Sequence, residues 1–554
     1  MHAAKRVILG LDIGSSSCKA VLIDEQGQEV AIGRGAYPLH YTGRPGEVEQ
    51  CPEQLWTGVR EAIGWLLRTA GVANSRQEIQ AISISAQMSS YFLVDAVGRP
   101  LCNILSWMDA RATEEAEAMK AAFPGDELVR LLGAELPVGP SWPIPKLRWI
   151  SRHWPDALAR AKHIVQPKEW VLWKLTSVWM SDRSSLRGMV HQSTGRPAEP
   201  LFAWAGADAR LLPQIGEPYE SAGVVLESAA RETGLPAGIP VVLGWNDINA
   251  AVLGVAGVSD ETCGFDMTGT SEHIGIIRPG IVPTGRASER GINWIPFGHR
   301  HEMYYGVTSS GGQALKWFVE QVDQFGAKRV VDANGHAGAT LGPGGDGNGG
   351  GSDPGAEGDG FDYGKVLAAA ASVEAGAGGL IFLPYLTGER SPWWNPDARG
   401  VFFGLHSTHG RHHMARAVLE GVGYALRSIV ERLPCAPDAF LVAGGAGRLA
   451  EWNRIKANVL GVPVRCPATA EAGCLGAAML AAYRLGWYDS LEQAGQGMIR
   501  TGPSYEPDPR VRSRYDEGFG LFEELYRALV PSYERHRRFT SGSGGEKSER
   551  GERA

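Results

Sequence analysis

Two stretches of this chain, one near its start and one near its middle, follow the same pattern. The first, LGLDIGSSSCKAVLID, begins at Leu9, and the second, TCGFDMTGTSEHIGIIRP, begins at Thr262. Each indicates an apolar strand, a turn of Gly, Ser or Thr residues, and a second apolar strand. Because the chain begins the same way twice, we predict a duplicated α/β domain with a boundary near residues 254–262.

The turn of the first stretch suits phosphate binding. Asp12 ends a strand, Gly14 permits close backbone approach, and Ser15, Ser16 and Lys19 supply hydrogen-bond donors. The second stretch repeats this chemistry with a Gly-Thr-Ser turn, so the duplication predicts a nucleotide in the cleft between the two copies. On the residues alone, an ordinary polar hairpin turn remains the alternative, since short Gly/Ser signals are common.

Length and charge narrow the class of protein. A chain of 554 residues is too long for one core and favours two large domains. The formal net charge of −7, without a basic tract, argues against a nucleic-acid binder, because such proteins need a positive field.

Cysteine usage and hydrophobic runs bear on location. The seven cysteines are scattered and form no C-x-x-C pair, which is typical of reduced thiols in a cytoplasmic protein. The N-terminal stretch MHAAKRVILGLDIG lacks the pattern of a signal peptide, and no run of about eighteen apolar residues occurs. We therefore expect a cytoplasmic protein without a membrane partner.

The hydrophobic pattern places the elements of the first half. The stretch CPEQLWTGVREAIGWLLRTAG predicts a helix, since Pro52 lies in its first turn and Gly71 follows its end. Strands are predicted at 7–11, 19–23, 28–34, 79–85 and 91–95.

The repeated pattern places the predicted domains at 1–256 and 257–537. The second includes the low-complexity stretch 336–360, HAGATLGPGGDGNGGGSDPGAEGDG, which has too few apolar residues to order itself and is predicted to be a disordered surface loop. Residues 538–554 are predicted to form a disordered tail.

The best candidate for a catalytic base is Asp247, in VVLGWNDINAAVLG. It follows an apolar strand and precedes an Ala-rich helix, which is where substrates bind in many α/β folds. A helix N-cap is the alternative, because Asp is favoured at that position.

Several motifs occur in an order that is typical of one family. They are DIGSSSCKAVLID, EVEQCPEQLW, ISAQM, SWMDAR, GTS, SSGGQALKW, FLPYLTGERSPWWNPDARGVFFGL and LVAGGAGRLAEWNRIKANVLGVPV. Through them nearly the whole chain resembles the FGGY-type carbohydrate kinases, and among these the xylulokinases. The resemblance implies two ribonuclease-H-like domains of the actin, Hsp70 and hexokinase type, which flank a catalytic cleft. The cleft would hold the sugar, and the second domain would bind most of the ATP.

The resemblance also implies roles for individual residues. Asp247 would be the base that accepts the hydroxyl proton, and Asp12 would orient Mg²⁺ through water. Lys19 either adds positive charge or is a surface residue. The residues expected to face ATP and its phosphates are Gly14, Ser15, Ser16, Gly269, Thr270, Ser271, Gly311, Gly312, Gly444, Gly445 and Ala446.

The implied sugar contacts come mainly from the first domain, namely Gln87, Met88, Trp107, Asp109, Arg111, Asn246 and Asp247. For Asp109 and Arg111, a structural ion pair is an equally good interpretation, because paired charges beside clefts commonly fix loops.

The chain departs from the xylulokinase pattern at two places. The usual Gln-Met-His-Gly is here Gln-Met-Ser-Ser from Gln87, and the usual Gly-Gly-Gly-Asp-Asn is Gly-Trp-Asn-Asp-Ile from Gly244. Because unmatched hydrogen-bonding groups change specificity strongly, we predict that D-xylulose is not the best substrate.

The sequence thus predicts ATP-dependent phosphorylation of a sugar hydroxyl in carbohydrate catabolism. A ketopentose such as xylulose is the first expectation, and another ketose, a polyol or a deoxysugar is the alternative. A non-catalytic nucleotide- or sugar-responsive interaction protein of the same fold is an alternative of another class, although Gln87, Trp107 and Asp247 argue against it. A homodimer is compatible with the sequence.

Overall fold

A computed structural model describes residues 5–44, 46–70, 77–280, 287–322, 363–469 and 471–542. The predicted loop 336–360 lies outside the described residues. The described chain forms two large sheets, one in each half.

The first half contains a six-stranded sheet and several smaller strand pairs. Its strands are β1 (Lys5–Ile13), β2 (Ser17–Asp24), β3 (Glu29–Ala36), β4 (His40–Tyr41), β5 (Val48–Gln50), β6 (Gln77–Ala86), β7 (Phe92–Val94), β8 (Ile104–Leu105), β9 (His163–Val165), β10 (Met180–Asp182), β11 (Gln214–Gly216), β12 (Ser221–Val224) and β13 (Pro240–Asn246). Its helices are α1 (Pro52–Thr69), α2 (Thr113–Ala122), α3 (Gly125–Leu132), α4 (Pro143–His153), α5 (Pro155–Arg160), α6 (Pro167–Thr176), α7 (Glu199–Ala205), α8 (Glu227–Thr233) and α9 (Asp247–Ala256).

The second half contains a seven-stranded sheet and one further strand pair. Its strands are β14 (Cys263–Thr268), β15 (Glu272–Pro279), β16 (Asn293–Phe297), β17 (His301–Thr308), β18 (Ile381–Leu383), β19 (Val401–Phe403), β20 (Phe440–Gly444), β21 (Val464–Arg465) and β22 (Ser504–Tyr505). Its helices are α10 (Gly311–Trp317), α11 (Tyr363–Ala371), α12 (Arg411–Val430), α13 (Ala450–Leu460), α14 (Ala472–Arg484), α15 (Leu491–Met498) and α16 (Arg512–Gly542).

The two sheets share one topology. In the first sheet β1, β2 and β3 are antiparallel neighbours, and β6 and then β13 continue parallel to β1 on its other side. In the second sheet β14, β15 and β17 take the places of the three antiparallel strands, and β20 and β21 run parallel to β14. This third-second-first-fourth-fifth order is ribonuclease-H-like, and it confirms the predicted duplicated fold.

The final helix differs from the sequence-based expectation. Helix α16 extends to Gly542, so the first five residues of the predicted tail 538–554 are helical. The remainder of that tail, 543–554, lies outside the described residues. Among the helices in the described ranges, none is long and apolar enough to cross a membrane.

Helices α9 and α14 connect the halves by direct backbone contact. A Cβ atom added to Gly476 would lie 1.8 Å from the carbonyl oxygen of Ala250, and one added to Gly254 would lie 2.1 Å from that of Ala472. Only glycine permits such an approach. The apolar core around this crossing includes residues from both sheets, so the two halves pack as one body at the base of the cleft.

Candidate active site

The carboxyl ends of three neighbouring parallel strands, β1, β6 and β13, meet at one edge of the first sheet. In the strand register Asp12 pairs with Ser85, and Ser85 pairs with Trp245, two residues before Asp247. The Ser85 hydroxyl donates a hydrogen bond of 2.8 Å to Asp12 Oδ1. The fold therefore brings the two predicted carboxylates to one edge, where α/β folds commonly bind ligands.

The capping role at the start of α9 belongs to Asn246. Its Oδ1 accepts a hydrogen bond of 3.0 Å from the amide of Asn249, and its Nδ2 donates one of 2.9 Å to the Ser184 hydroxyl. Asn246 is buried, and these two contacts fix the start of α9. The sugar contact expected at this residue stays a prediction. Asp247 is the first helical residue, and its Oδ1 accepts from the Ile248 amide at 2.8 Å.

Burial and repulsion between like charges tune the two carboxylates. Burial, followed by the charge of Asp12, raises the pKa of Asp247 to about 7. Burial also raises the pKa of Asp12, against the lowering effect of the Ser85 hydrogen bond. A carboxylate with a pKa near neutrality is suited to accept a proton as a general base.

The hairpin between β1 and β2 presents backbone donors at this edge. Its first amide, that of Gly14, donates to the Ser17 carbonyl at 2.9 Å, and the Tyr37 hydroxyl donates to the Gly14 carbonyl at 2.7 Å. Within the part of the chain that the structure describes, the amides of Ser15 and Ser16 donate no hydrogen bond. Successive amides of this kind form a binding site for anions.

The hairpin between β14 and β15 has the same length, but its first contact is one residue shorter, since the Gly269 amide donates to the Ser271 carbonyl at 3.0 Å. Helix α10 begins on this hairpin: the Gly312 amide donates to the Gly269 carbonyl at 2.9 Å, and the Gln313 amide donates to that of Thr270 at 3.1 Å. These two amides of the helix start hold the hairpin in place, because they donate to its carbonyls.

The third glycine segment predicted for ATP lies beside the same hairpin. Gly444 has a φ of +91°, and a Cβ atom there would lie 2.0 Å from the Thr268 carbonyl oxygen. Gly445 and Ala446 follow in a short 3₁₀ turn, and a Cβ atom added to Gly445 would meet nothing within 4 Å. The structure thus brings the three predicted segments together at the end of β14.

A buried ionic cluster, which sequence reasoning missed, supports this second hairpin. The ammonium group of Lys456 contacts Asp266 Oδ2 at 2.7 Å, the Thr268 hydroxyl at 2.8 Å and the Glu272 carboxylate. Although burial opposes its charge, the two carboxylates raise the pKa of Lys456. Because both ends of the hairpin bind one fixed cation, its backbone is held in place.

Gln87 and Trp107 are connected to the first hairpin. The Gln87 amide group donates to Gln50 Oε1 at 2.8 Å, and Gln50 in turn donates to the Ser15 carbonyl. Trp107 donates from Nε1 to the Ser15 hydroxyl at 2.8 Å, and 42% of this residue is exposed. An exposed indole beside the hairpin is available to contact a ligand.

Asp109 and Arg111 form a buried ion pair. Their shortest contact is 2.8 Å, Arg111 also reaches Glu49 at 2.7 Å, and Asp109 accepts from the Val48 amide at 2.7 Å. The guanidinium lies 5.0 Å from the ring centroid of Trp149. These contacts favour the structural interpretation of the pair over a direct sugar contact.

Lys19 connects the two halves. Its ammonium group contacts a carboxylate oxygen of Glu471 at 2.6 Å, and Arg34 contacts the other oxygen at 2.9 Å. Although burial opposes its charge, Glu471 raises the pKa of Lys19. Glu471 lies directly before α14 in the second half. Lys19 therefore forms an ion pair between the halves, which is a third role beside the two that the sequence suggested.

Four cleft residues were missed by sequence reasoning: Arg187, His273, Tyr305 and Arg390. Arg187 donates to Met88 Sδ at 2.8 Å and to the Tyr305 hydroxyl at 3.0 Å, so it bridges the two halves at a predicted sugar contact. His273 lies in the stretch that begins at Thr262, and Arg390 lies in the motif FLPYLTGERSPWWNPDARGVFFGL, so both could have been considered from the sequence. Arg187 lies in none of the motifs.

Comparison with protein-family models identifies the family of this chain. A model of the N-terminal domain of the FGGY family of carbohydrate kinases matches residues 7–254, and a model of its C-terminal domain matches residues 267–485. This chain belongs to the FGGY family. It is a carbohydrate kinase, and kinases of this family take their phosphoryl group from ATP.

Relatives of this FGGY kinase cover nearly its whole length. A gluconokinase of Bacillus licheniformis is 30% identical over 95% of this chain and 96% of its own, and a xylulose kinase of Bacillus subtilis is 26% identical over 94% and 97%. Among solved structures, a ligand-bound xylulose kinase from Lactobacillus acidophilus has a TM-score of 0.80 and 27% identity, over 96% of this chain and 100% of its own.

The donor set at the cleft of this FGGY kinase fits Mg²⁺ held jointly with ATP. In the described ranges, no group of three or more His, Cys, Asp or Glu side chains could hold a metal ion alone. Mg²⁺ commonly binds one or two carboxylates and completes its shell with water and substrate phosphates. Asp12, whose carboxylate has only one hydrogen bond in the described part of the chain, is suited to that role.

Proposed function

We propose that this FGGY kinase transfers the γ-phosphoryl group of ATP to a hydroxyl group of an open-chain sugar or sugar derivative, with Asp247 as general base. The observation that carries the proposal is the position of Asp247. It lies at the sheet edge that also carries the first amide-rich hairpin, and its pKa is raised to about 7.

The proposed mechanism assigns one task to each part of the cleft. Asp247 accepts the proton of the attacking hydroxyl as the new oxygen–phosphorus bond forms and the bond from the γ-phosphorus to the bridging oxygen breaks, so that ADP leaves. The hairpin amides of the two halves hold the phosphates in line with that hydroxyl. Asp12 would hold Mg²⁺, which supplies charge neutralisation when bound. Trp107 and Gln87 position the sugar.

The relatives support two candidates for the sugar that is phosphorylated. D-xylulose is the expectation from the motifs, and the relatives include a xylulose kinase. D-gluconate is the second candidate, because a gluconokinase is 30% identical over nearly the full length. We retain the prediction that D-xylulose is not the best substrate, since Ser89 and Ser90 replace the usual His and Gly. We also propose a cytoplasmic location, consistent with seven free cysteines.

The test is a coupled assay of ADP release with ATP, Mg²⁺ and a panel of ketoses, aldoses, polyols and aldonic acids. We expect sugar-dependent ADP release with at least one panel member, together with a phosphorylated product seen by mass spectrometry. Nucleotide binding by folded protein without ADP release for any panel member would contradict the proposal and favour the non-catalytic alternative.

A further inference from the structure

Arg187 occupies an unusual position for a charged side chain. It lies on the segment after β10, which is anchored where Ser184 accepts hydrogen bonds from Trp245 at 2.6 Å and Asn246 at 2.9 Å. Its guanidinium donates to Met88 of the same half and to the Tyr305 hydroxyl of the other half. The position is close enough to the base for the charge of Arg187 to lower the pKa of Asp247 against the effect of burial.

The charge of Arg187 has no carboxylate partner. Among the residues that the structure describes, no Asp or Glu oxygen lies within ion-pairing distance of Arg187, and its side chain donates instead to a thioether and a hydroxyl. Arg187 is half-buried, and arginines whose side chains are more buried are paired: Arg111 with Asp109, and Arg416 with Glu420, at 2.8 and 2.7 Å. Because removing a charge from water without a partner is costly, an unpaired cation in a cleft indicates an anionic ligand.

The second half contributes another arginine, Arg390, whose charge acts together with that of Arg187 on His273. Arg390 also lacks a carboxylate within ion-pairing distance in the described ranges, and burial lowers its pKa. Burial and the two arginines lower the pKa of His273 to about 3. The charge of Glu389 partly offsets that of Arg390. Arg187, which contacts no carboxylate in the described ranges, is therefore the candidate partner for an anionic ligand.

We propose that Arg187 binds a carboxylate of the sugar substrate, so that the preferred acceptor is an aldonic acid rather than a neutral ketose or polyol. The proposal rests on the proposed function and names its substrate class. An open-chain aldonic acid carries a carboxylate at one end and a primary hydroxyl at the other. It can therefore span from Arg187 to Asp247, and a guanidinium matches a carboxylate in planar, two-point geometry.

The test compares acceptors that differ only in the anionic group. D-gluconate and D-glucitol have the same remaining hydroxyls, and D-xylonate and xylitol form a second pair. For the unmodified enzyme we expect kcat/KM to be roughly 10- to 100-fold higher for each acid than for its alcohol, the range expected of a charge-assisted hydrogen bond. A higher kcat/KM for D-glucitol, xylitol or D-xylulose than for either acid would overturn the proposal.

Three variants separate recognition of the carboxylate from a structural role. Arg187→Gln is expected to lower the acid-to-alcohol ratio of kcat/KM roughly 10-fold or more, mainly through KM of the acid, and Arg187→Lys to keep part of the ratio. Arg183→Gln is the matched control, because Arg183 lies on the same segment but pairs with Glu217. A proportional loss for acid and alcohol, or an effect confined to KM of ATP, would overturn the proposal.

Binding to an Asp247→Asn variant distinguishes this proposal from the proposed function. Calorimetry with D-gluconate and D-glucitol measures recognition without turnover. Tighter binding of the acid supports the role of Arg187 even if no panel member is phosphorylated by the unmodified enzyme, a result that would contradict only the proposed function. Equal or weaker binding of the acid overturns the role of Arg187 even if turnover is observed.

Discussion

Asp247 combines a catalytic position with a perturbed pKa, and its carboxylate makes the sharpest prediction at the residue scale. Asp247→Asn keeps the shape of the side chain but removes the proton acceptor. We expect kcat to fall roughly 10²-fold or more, with little change in binding of sugar and ATP. Steady-state kinetics and calorimetry measure the two effects, and Asp208→Asn, at an exposed carboxylate of the same half, is the control. A near-normal kcat would exclude Asp247 as the base.

The raised pKa of Asp247 also predicts a pH dependence. Because the base acts when deprotonated, kcat/KM should fall below an apparent pKa near 7 and reach a plateau above it. The folded pKa lies above the unfolded value of 3.8, so ionisation of this group destabilises the fold increasingly as the pH rises towards and through 7. Asp247→Asn should therefore raise the melting temperature more at pH 8 than at pH 5. An equal change at both values would contradict the assignment.

At the scale of elements, the contact between α10 and the second hairpin is the most sensitive feature. A Cβ atom at Gly312 would lie 2.5 Å from the Gly269 carbonyl oxygen. Gly312→Ala should therefore displace the hairpin and raise KM for ATP roughly tenfold or more, with a smaller effect on KM for the sugar. Gly125→Ala at the start of α3 is the control, because an added Cβ atom there meets nothing within 4 Å. Equal effects of the two substitutions would contradict this role of Gly312.

Elements and contacts differed in how far the sequence could predict them. The two hairpins were predictable because strand, turn and strand are local patterns. Their repetition predicted the duplication, whereas the ribonuclease-H-like fold came from the family resemblance. The capping side chain was one residue from the expected one, because Asn246 and Asp247 have similar preferences and only the backbone geometry separates them. Arg187 could not be predicted, since its partners Met88 and Tyr305 lie far away in the sequence and no periodic pattern records such contacts.

At the scale of the whole molecule, the low-complexity stretch 336–360 makes a further prediction. Its composition supplies neither core residues nor a motif. The entropic cost of closing a loop grows only slowly with the number of residues in it. Replacing residues 342–358 by a short linker should change kcat/KM less than about twofold and leave the melting temperature unchanged within a few degrees. Kinetics and calorimetry on the deletion variant are the measurements. A loss of activity in folded protein would show that the stretch takes part in the reaction.

Helices α9 and α14 cross in direct backbone contact, and we expect the two halves of the molecule to rotate about this crossing. The two backbones touch at Gly254 and Gly476 without side chains between them, so opening and closing of the cleft should pivot there. Gly476→Val would force the helices apart, and because α9 begins with Asp247, we expect kcat to fall roughly tenfold or more with a lower melting temperature. Gly520→Val is the control, since an added Cβ atom there meets nothing within 4 Å. Equal effects of the two substitutions on kcat and melting temperature would contradict this role of the crossing.

A small rotation at the helix crossing displaces residues far from it by a larger distance. Because the hairpins at Gly14 and Gly269 belong to different halves, we expect a small rotation at the glycine crossing to change the distance between the two sets of hairpin amides. Residues at the crossing would in this way affect phosphoryl transfer without belonging to either hairpin.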